Sequence, residues 1–196
     1  MRTKDAQKEV LIRQKTMEIV VKEGLDGFSM HKLAASVGIS VNTIYLNFNN
    51  KEDLIIKVYQ GVVKKMEQVL LEGFNPEMDF ATGLKLQWKN RLRYFTKYPL
   101  HIEFTEQIRH SPIYEKVMQL QGKKFTSTME QFYERAIKNN ELIRFPLEIY
   151  WSLAYAPLFQ LLKFHRQNKS ITGKKFVLTE KKFNQAFSRV LLSLVP

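Results

Sequence analysis

The sequence predicts an all-α protein, and three observations carry that prediction. Apolar residues recur at helical spacing along nearly the whole chain, Gly and Pro fall at the joints between those runs, and no stretch of useful length alternates in the manner of a strand. Of its 196 residues, 44% are hydrophobic and 26% charged, an ordinary globular composition able to bury a core. The expected organisation is an N-terminal three-helix domain over residues 1–50 and a larger helical domain over residues 51–196, joined by a long helix.

The first helix is read over "DAQKEVLIRQKTMEIVVKEG", where Val10, Ile12, Arg13, Met17, Val20 and Val21 form a mixed apolar face and Gly24 supplies a stop. Two short helices follow within "SMHKLAASVGISVNTIYLNFNNKEDL". The connecting helix begins near Asn50, with apolar residues at Leu54, Val58, Val62, Met66, Val69 and Leu70 and with Glu52 and Asp53 suited to the positive end of its dipole. "FNPEMD" marks a loop, and further helices are expected at 80–97, 100–110, 112–140, 147–167 and 180–195, with Pro99, Pro112 and Pro146 at first-turn positions and Ser111 as a cap. Pro157 and Gly122 fall inside two of these runs and predict a bend or local loosening in each. "KKFVL" has strand-like character but is assigned to the loop before the last helix.

The two short helices raise the functional question. Ser29 is placed to cap the first, whose Leu33, Ala34 and Val37 share one face, and Gly38 supplies a permissive corner. Ser40 is placed to cap the second, in which Val41, Ile44 and Phe48 recur with helical spacing and Ile44 and Phe48 anchor it to the core. Asn42, Thr43, Tyr45, Leu46 and Asn47 are left to point away. A helix this short is held by its neighbours, so its outward side chains are available for contact. Such an element suits the DNA major groove, about 12 Å wide, where Asn and Thr hydrogen-bond base edges and Val touches a thymine methyl. Between Ser40 and Asn47 there is no charged side chain, which favours thymine-methyl and Asn–adenine contacts over bidentate guanine readout.

Charge agrees with a polyanionic partner without locating it. The formal net charge is +12, nucleic acid being favoured over a membrane surface. Residues 1–65 hold 11 Lys and Arg against 7 Asp and Glu, and the remaining residues 20 against 12, so the excess is spread along the chain. There are no cysteines, which excludes disulfides and thiolate metal sites. No apolar run reaches the ~18 residues of a membrane span and the N-terminal stretch is not a secretory signal, so a soluble cytoplasmic protein is expected.

The Ser-Met, Leu-Ala-Ala, Val-Gly-Ile-Ser, Thr-Ile-Tyr, Phe and Lys-Glu-Asp-Leu elements between Phe28 and Leu54 resemble the N-terminal DNA-binding domain of the TetR family of bacterial transcriptional regulators. The motif resemblance covers roughly residues 8–58; beyond it the likeness is one of length and a nine-helix layout. It implies that residues 29–37 cross the DNA backbone and residues 40–47 form the recognition helix. On that resemblance Ser29 and Lys32 become phosphate contacts and His31 a phosphate or base-edge contact. Val41, Asn42 and Thr43, following the capping Ser40, form the base-facing turn; Tyr45 and Asn47 contact the backbone, and Lys51 binds a phosphate. Val41 departs from the charged or polar residue frequent there, and Leu46 from an aromatic or His.

The resemblance further implies a larger domain that forms a homodimer and encloses a small-molecule effector. The last helix and the one at 147–167 carry broad apolar stripes, so Trp151, Phe159, Phe183, Phe187, Leu191 and Leu194 are assigned to a four-helix dimer interface. Trp88, Tyr94, Phe104, Met118, Phe125, Met129, Tyr133 and Tyr155 are candidates for lining a pocket for an apolar or amphipathic molecule. His101 with Glu103 or Glu106, His110 after Arg109, and the lone His165 form no recognisable catalytic set, and HExxH, GxSxG and phosphate-loop patterns are absent. The expected function is therefore a non-enzymatic, homodimeric, sequence-specific DNA-binding regulator, a repressor released from its double-stranded operator by an effector, with no cofactor, metal or membrane partner. The alternative is a helical binding or carrier protein whose basic surface does not read DNA.

Overall fold

A computed structural model describes residues 2–120 and 123–196, with side chains described from Gln7 onward; the expected basic arm at Arg2 and Lys4 and the expected weak point at Gly122 lie outside the described side chains and residues. The described residues form ten helices and no strand. They are α1 (Arg2–Gly27), α2 (Met30–Val37), α3 (Val41–Tyr45), α4 (Lys51–Leu70), α5 (Phe80–Lys97), α6 (Pro99–Arg109), α7 (Ile113–Gln119), α8 (Lys124–Lys138), α9 (Leu147–Gln167) and α10 (Glu180–Leu192).

These divide between two compact units, Met1–Met66 with Tyr98–Gly122, and Glu67–Lys97 with Lys123–Pro196. In the first, Ile12 and Val20 of α1, Leu33 of α2, Ile44 of α3, Leu54 and Ile55 of α4, Phe104 and Ile108 of α6 and Val117 of α7 close one core. Alpha-helical continuity in α1 breaks at Gly24, whose φ of 73° and ψ of 173° are open to glycine and strained for other residues. The chain thereby turns into Phe28, buried beside α2 and α4 in the same core.

The second unit is built on aromatic rings. Trp88 of α5 is fully buried with Phe183 and Phe187 of α10 each packed edge-on at 5.5 Å, and its indole N–H donates to the Ala154 carbonyl of α9 at 2.8 Å. Gln87 and Asn90 of α5 donate side-chain N–H groups to the Leu70 carbonyl at 2.9 and 3.0 Å, supplying partners at the end of α4. Pro157 interrupts the hydrogen-bond ladder of α9 but not the helix, which runs from Leu147 to Gln167.

The run expected as one helix over 112–140 is two, α7 and α8. Its apolar stripe serves two cores, Val117 the first and Phe132, Tyr133 and Ala136 the second. Ser111 does not cap α7 with its side chain; its hydroxyl donates back to the Ile108 carbonyl at 2.7 Å. The "KKFVL" segment is a loop, closed from the α9 end by the Asn168 cap at φ 50°.

Candidate functional site

The two short helices are mounted as their sequence requires. Ser29 caps α2, its hydroxyl accepting from the Lys32 N–H at 3.2 Å. Gly38 ends it in the left-handed region at φ 73°, its N–H and that of Ile39 both reaching the Ala34 carbonyl. Ser40 caps α3 by accepting from the Thr43 N–H at 3.2 Å, and the two hydroxyls lie 2.9 Å apart. Ser40 and Thr43 are thus occupied in holding the start of α3. The helix proper ends at Tyr45, shorter than the expected 40–47, although the Leu46, Asn47 and Phe48 N–H groups continue to find carbonyls of Asn42 and Ile44.

Burial separates the two sides of this turn-and-helix. Ile44 and Phe48 are 0% and 2% exposed, whereas Tyr45 is 47% and Leu46 84% exposed. Asn42 and Asn47 are exposed beside them, with Val41 and Thr43 half-buried at the edge. The side chains of Asn42 and Asn47 make no hydrogen bond among the described residues.

The lysines around this face are tied into the fold. Lys51 donates its ammonium to the Leu25 carbonyl at 2.6 Å and lies 5.9 Å from the Phe28 ring centre. Lys32 reaches Glu23 Oε2 at 2.7 Å and the Gly27 carbonyl at 2.8 Å. Sequence reading passed over Lys57, which donates to the Asn47 carbonyl at 3.2 Å and to Asp53 Oδ2 at 3.0 Å, pinning the end of the α3 turn; the Asp53–Lys57 spacing along α4 was its signal. Asp53 also accepts the Asn49 N–H at 2.8 Å, while Asn50 Oδ1 accepts the Asp53 N–H at 2.9 Å, a reciprocal cap at the start of α4. The Asn49 hydrogen bond first, and Lys57 further, hold the Asp53 carboxyl below its ordinary value against the opposing effect of burial. An ammonium has three N–H groups, so Lys51, bonded to one carbonyl, keeps two, and Lys32, bonded to the Glu23 carboxylate and the Gly27 carbonyl, keeps one. His31 is exposed on α2.

The expected pocket residues fall in both units. Trp88, Tyr94, Phe125, Met129, Tyr133 and Tyr155 belong to the second unit, whereas Phe104 packs in the core of the first and Met118, also in the first, is 45% exposed. Tyr133 and Tyr155 are buried among the aromatic rings, and Tyr133 donates its hydroxyl to the Phe145 carbonyl at 2.5 Å. The expected interface residues divide as well. Phe183, Phe187 and Leu194 are at most 6% exposed within the single chain, and Phe159 and Leu191 pack against the same core, so these are first of all core residues. Trp151 is exposed, and with it Ile143, Leu147, Ile149 and Leu192; the Ile143 N–H donates to the Leu194 carbonyl at 2.9 Å, joining the chain near the start of α9 to the end of α10.

No group of three or more His, Cys, Asp or Glu placed to hold a metal occurs among the described residues, and none of the described helices is long and apolar enough to cross a membrane. A capped helix, a glycine corner and a short helix with a polar outward face define a helix-turn-helix DNA-binding domain. Residues 12–58 match the family model described as "Bacterial regulatory proteins, tetR family". Residues 12–58 therefore carry a DNA-binding helix-turn-helix domain of the kind found in TetR-family regulators.

The comparisons extend that reading at the level of fold. A Haemophilus influenzae protein described as an uncharacterized HTH-type transcriptional regulator is 26% identical over 102 residues, 52% of this chain and 54% of that one, so the match spans about half of the curated relative. The crystal structure of a TetR-family transcription regulator from Marinobacter aquaeolei superposes with a TM-score of 0.81 at 20% identity, covering 99% of this chain and 98% of the other. A TetR-family regulator from Haemophilus influenzae does so with a TM-score of 0.78 at 20% identity, covering 97% of each. The whole chain therefore has the fold of these regulators.

Proposed function

We propose that the chain is a cytoplasmic, homodimeric, sequence-specific repressor that leaves its operator when a small apolar or amphipathic molecule binds its second unit. The observation that carries the reading is the exposed face of Asn42, Tyr45, Leu46 and Asn47 held rigidly over buried Ile44 and Phe48. Residues up to 50, together with Lys51 at the start of α4, supply DNA contacts, and the rest supply assembly and ligand response. Phosphates are met by Ser29, His31, Lys32 and Lys51. The exposed apolar residues Ile149, Trp151 and Leu192 support assembly with a second copy.

Selection from a random-sequence DNA pool, with competitor DNA present, tests this reading. The expected product is a motif of two related half-sites with centres roughly 34–36 Å apart, one turn of B-DNA. Recovery of no motif, with binding that competitor abolishes, would instead support a basic helical protein that does not read DNA. Assembly is checked separately: Ile149→Glu with Leu192→Glu should give monomers in sedimentation, since neither side chain is part of the buried core, and an unchanged dimer would place the interface elsewhere.

A further inference from the structure

The second unit buries a cation without a counter-ion. Arg91 of α5 is 2% exposed, on the face that also carries Leu84 and Trp88, where helical spacing calls for an apolar residue. One of its terminal nitrogens, Nη1, donates to the Gln87 carbonyl at 3.1 Å and to Gln87 Oε1 at 2.5 Å. The other, Nη2, is buried and has no hydrogen-bond partner among the described residues. The guanidinium carbon lies over the Tyr155 ring, 4.0 Å from its centre, and 5.7 Å from that of Trp151. Stacking on rings lessens the cost of burial but supplies no opposite charge. No carboxylate among the described residues contributes to its ionisation: burial works against the charged form, and Tyr155 and Tyr150 support it. An arginine stays protonated all the same, so the charge remains.

Two further polar atoms share this place. The hydroxyls of Tyr150 and Tyr155 are buried and, like Nη2, lack a hydrogen bond of good geometry among the described residues. They lie close enough to one another and to the guanidinium to influence one another's ionisation. Burial pushes the Tyr150 hydroxyl well above its ordinary value, Tyr155 adds to this and Arg91 opposes it. Three donors thus converge among aromatic walls, Tyr133 at 4.7 Å and Phe80 at 6.4 Å from the Tyr150 ring. Unsatisfied buried polar groups are rare because each costs free energy comparable to a lost hydrogen bond, and a lone buried charge costs more. Three together, with one net positive charge, are the complement of an anion.

We infer that Arg91, Tyr150 and Tyr155 form the head-group site for a monocarboxylate with an apolar body, bound within the second unit. This rests on the ligand-responsive reading above and specifies the ligand's chemistry. A carboxylate has two acceptor oxygens, enough to take the open Nη2 donor and both hydroxyls. A single negative charge neutralises the one cation, whereas a phosphate dianion would leave a net buried charge among the rings. Trp151, 41% exposed and 4.6 Å from the Tyr155 ring, is close enough to report on the filling of the cluster.

The test uses the full-length protein, tryptophan fluorescence, calorimetry and thermal unfolding, with benzoate, octanoate and decanoate set against benzamide, octanol and decanol. At least one carboxylate should bind saturably, raise the melting temperature and exceed its neutral counterpart by about tenfold or more, as a charged hydrogen-bonded head group requires. Arg91→Met should fold at least as stably as the unliganded parent, because an apolar residue replaces an unpaired buried charge, and should lose the carboxylate preference. Tyr150→Phe, which keeps the ring, should weaken carboxylate binding and leave the alcohols unaffected. No saturable binding by any of the three acids overturns the proposal, as does equal binding of acid and neutral analogue. Loss of dimer in Arg91→Met would also overturn it, the counter-charge then coming from a second copy. Carboxylate binding that leaves operator affinity unchanged would refute effector release and uphold this site, and operator release by a neutral compound in both parent and Arg91→Met would do the reverse.

Discussion

The two units treat their cations in opposite ways. In the DNA-binding unit Lys32, Lys51 and Lys57 each reach a backbone carbonyl that a helix end or turn leaves open, at Gly27, Leu25 and Asn47. In the second unit Arg91 is more deeply buried and keeps an unbonded nitrogen. Satisfied cations around the helix-turn-helix hold its parts at fixed spacing, as a surface matched to a rigid groove requires. An unsatisfied cation in a core raises the energy of the empty state and leaves that energy to be recovered by whatever binds. The comparison suggests preorganisation by internal bonds in one unit and preorganisation by unmet need in the other.

The largest effect on this contrast should come from Ile44→Ala. Its side chain is fully buried and anchors α3, so the substitution should cost about 2–5 kcal/mol in urea unfolding. Operator binding should fall with it. If unfolding is unchanged, α3 is not held by its core face, and the rigid mounting argued here is wrong.

Lys51→Ala should have a smaller, double effect. Loss of the bond to the Leu25 carbonyl removes a tie between the end of α1 and the start of α4, worth about 1–2 kcal/mol. If the remaining N–H groups meet a phosphate, affinity for operator and random DNA should fall alike and the salt slope should drop by about 0.9 per subunit. A loss of stability with no change in slope would make Lys51 structural alone.

Acid should weaken the DNA-binding unit modestly through Asp53. Its carboxyl is held below the ordinary value by the Asn49 N–H and by Lys57, so it contributes stability above the usual carboxylate range. That contribution is lost as pH falls through the depressed value. Urea midpoints measured from pH 7 down to pH 3 should therefore decline less in Asp53→Asn than in the parent, the variant being the less stable at pH 7; parallel curves would remove Asp53 from the account.

The helix-turn-helix was legible because its signals are local. Ser29, Gly38 and Ser40 act on residues within four positions, and the Ile44–Phe48 spacing identifies the buried face directly. The long-range roles were not. Lys51 looks like a surface residue at a helix start, and only folding brings it to the Leu25 carbonyl. Phe183, Phe187 and Leu194 were indistinguishable from interface residues because a stripe does not state which partner it meets, the chain's own α5 or a second copy. The same ambiguity joined α7 to α8, since one amphipathic run continues across residues that serve different cores. Arg91 did leave a trace, a charge at an apolar position one turn beyond Trp88, but the absence of a counter-ion is a property of the packed unit.

The central claim is that the exposed α3 face reads bases. Its most direct test is the ratio of operator to random-DNA affinity for Asn42→Ala and Leu46→Ala, measured at one fixed salt concentration. Neither side chain bonds within the described fold, so both variants should unfold like the parent. Each should lower the ratio by the equivalent of ~1–3 kcal/mol, operator affinity falling while random-DNA affinity stays. An unchanged ratio in both variants, or an equal loss on both DNAs, would contradict base reading by this face.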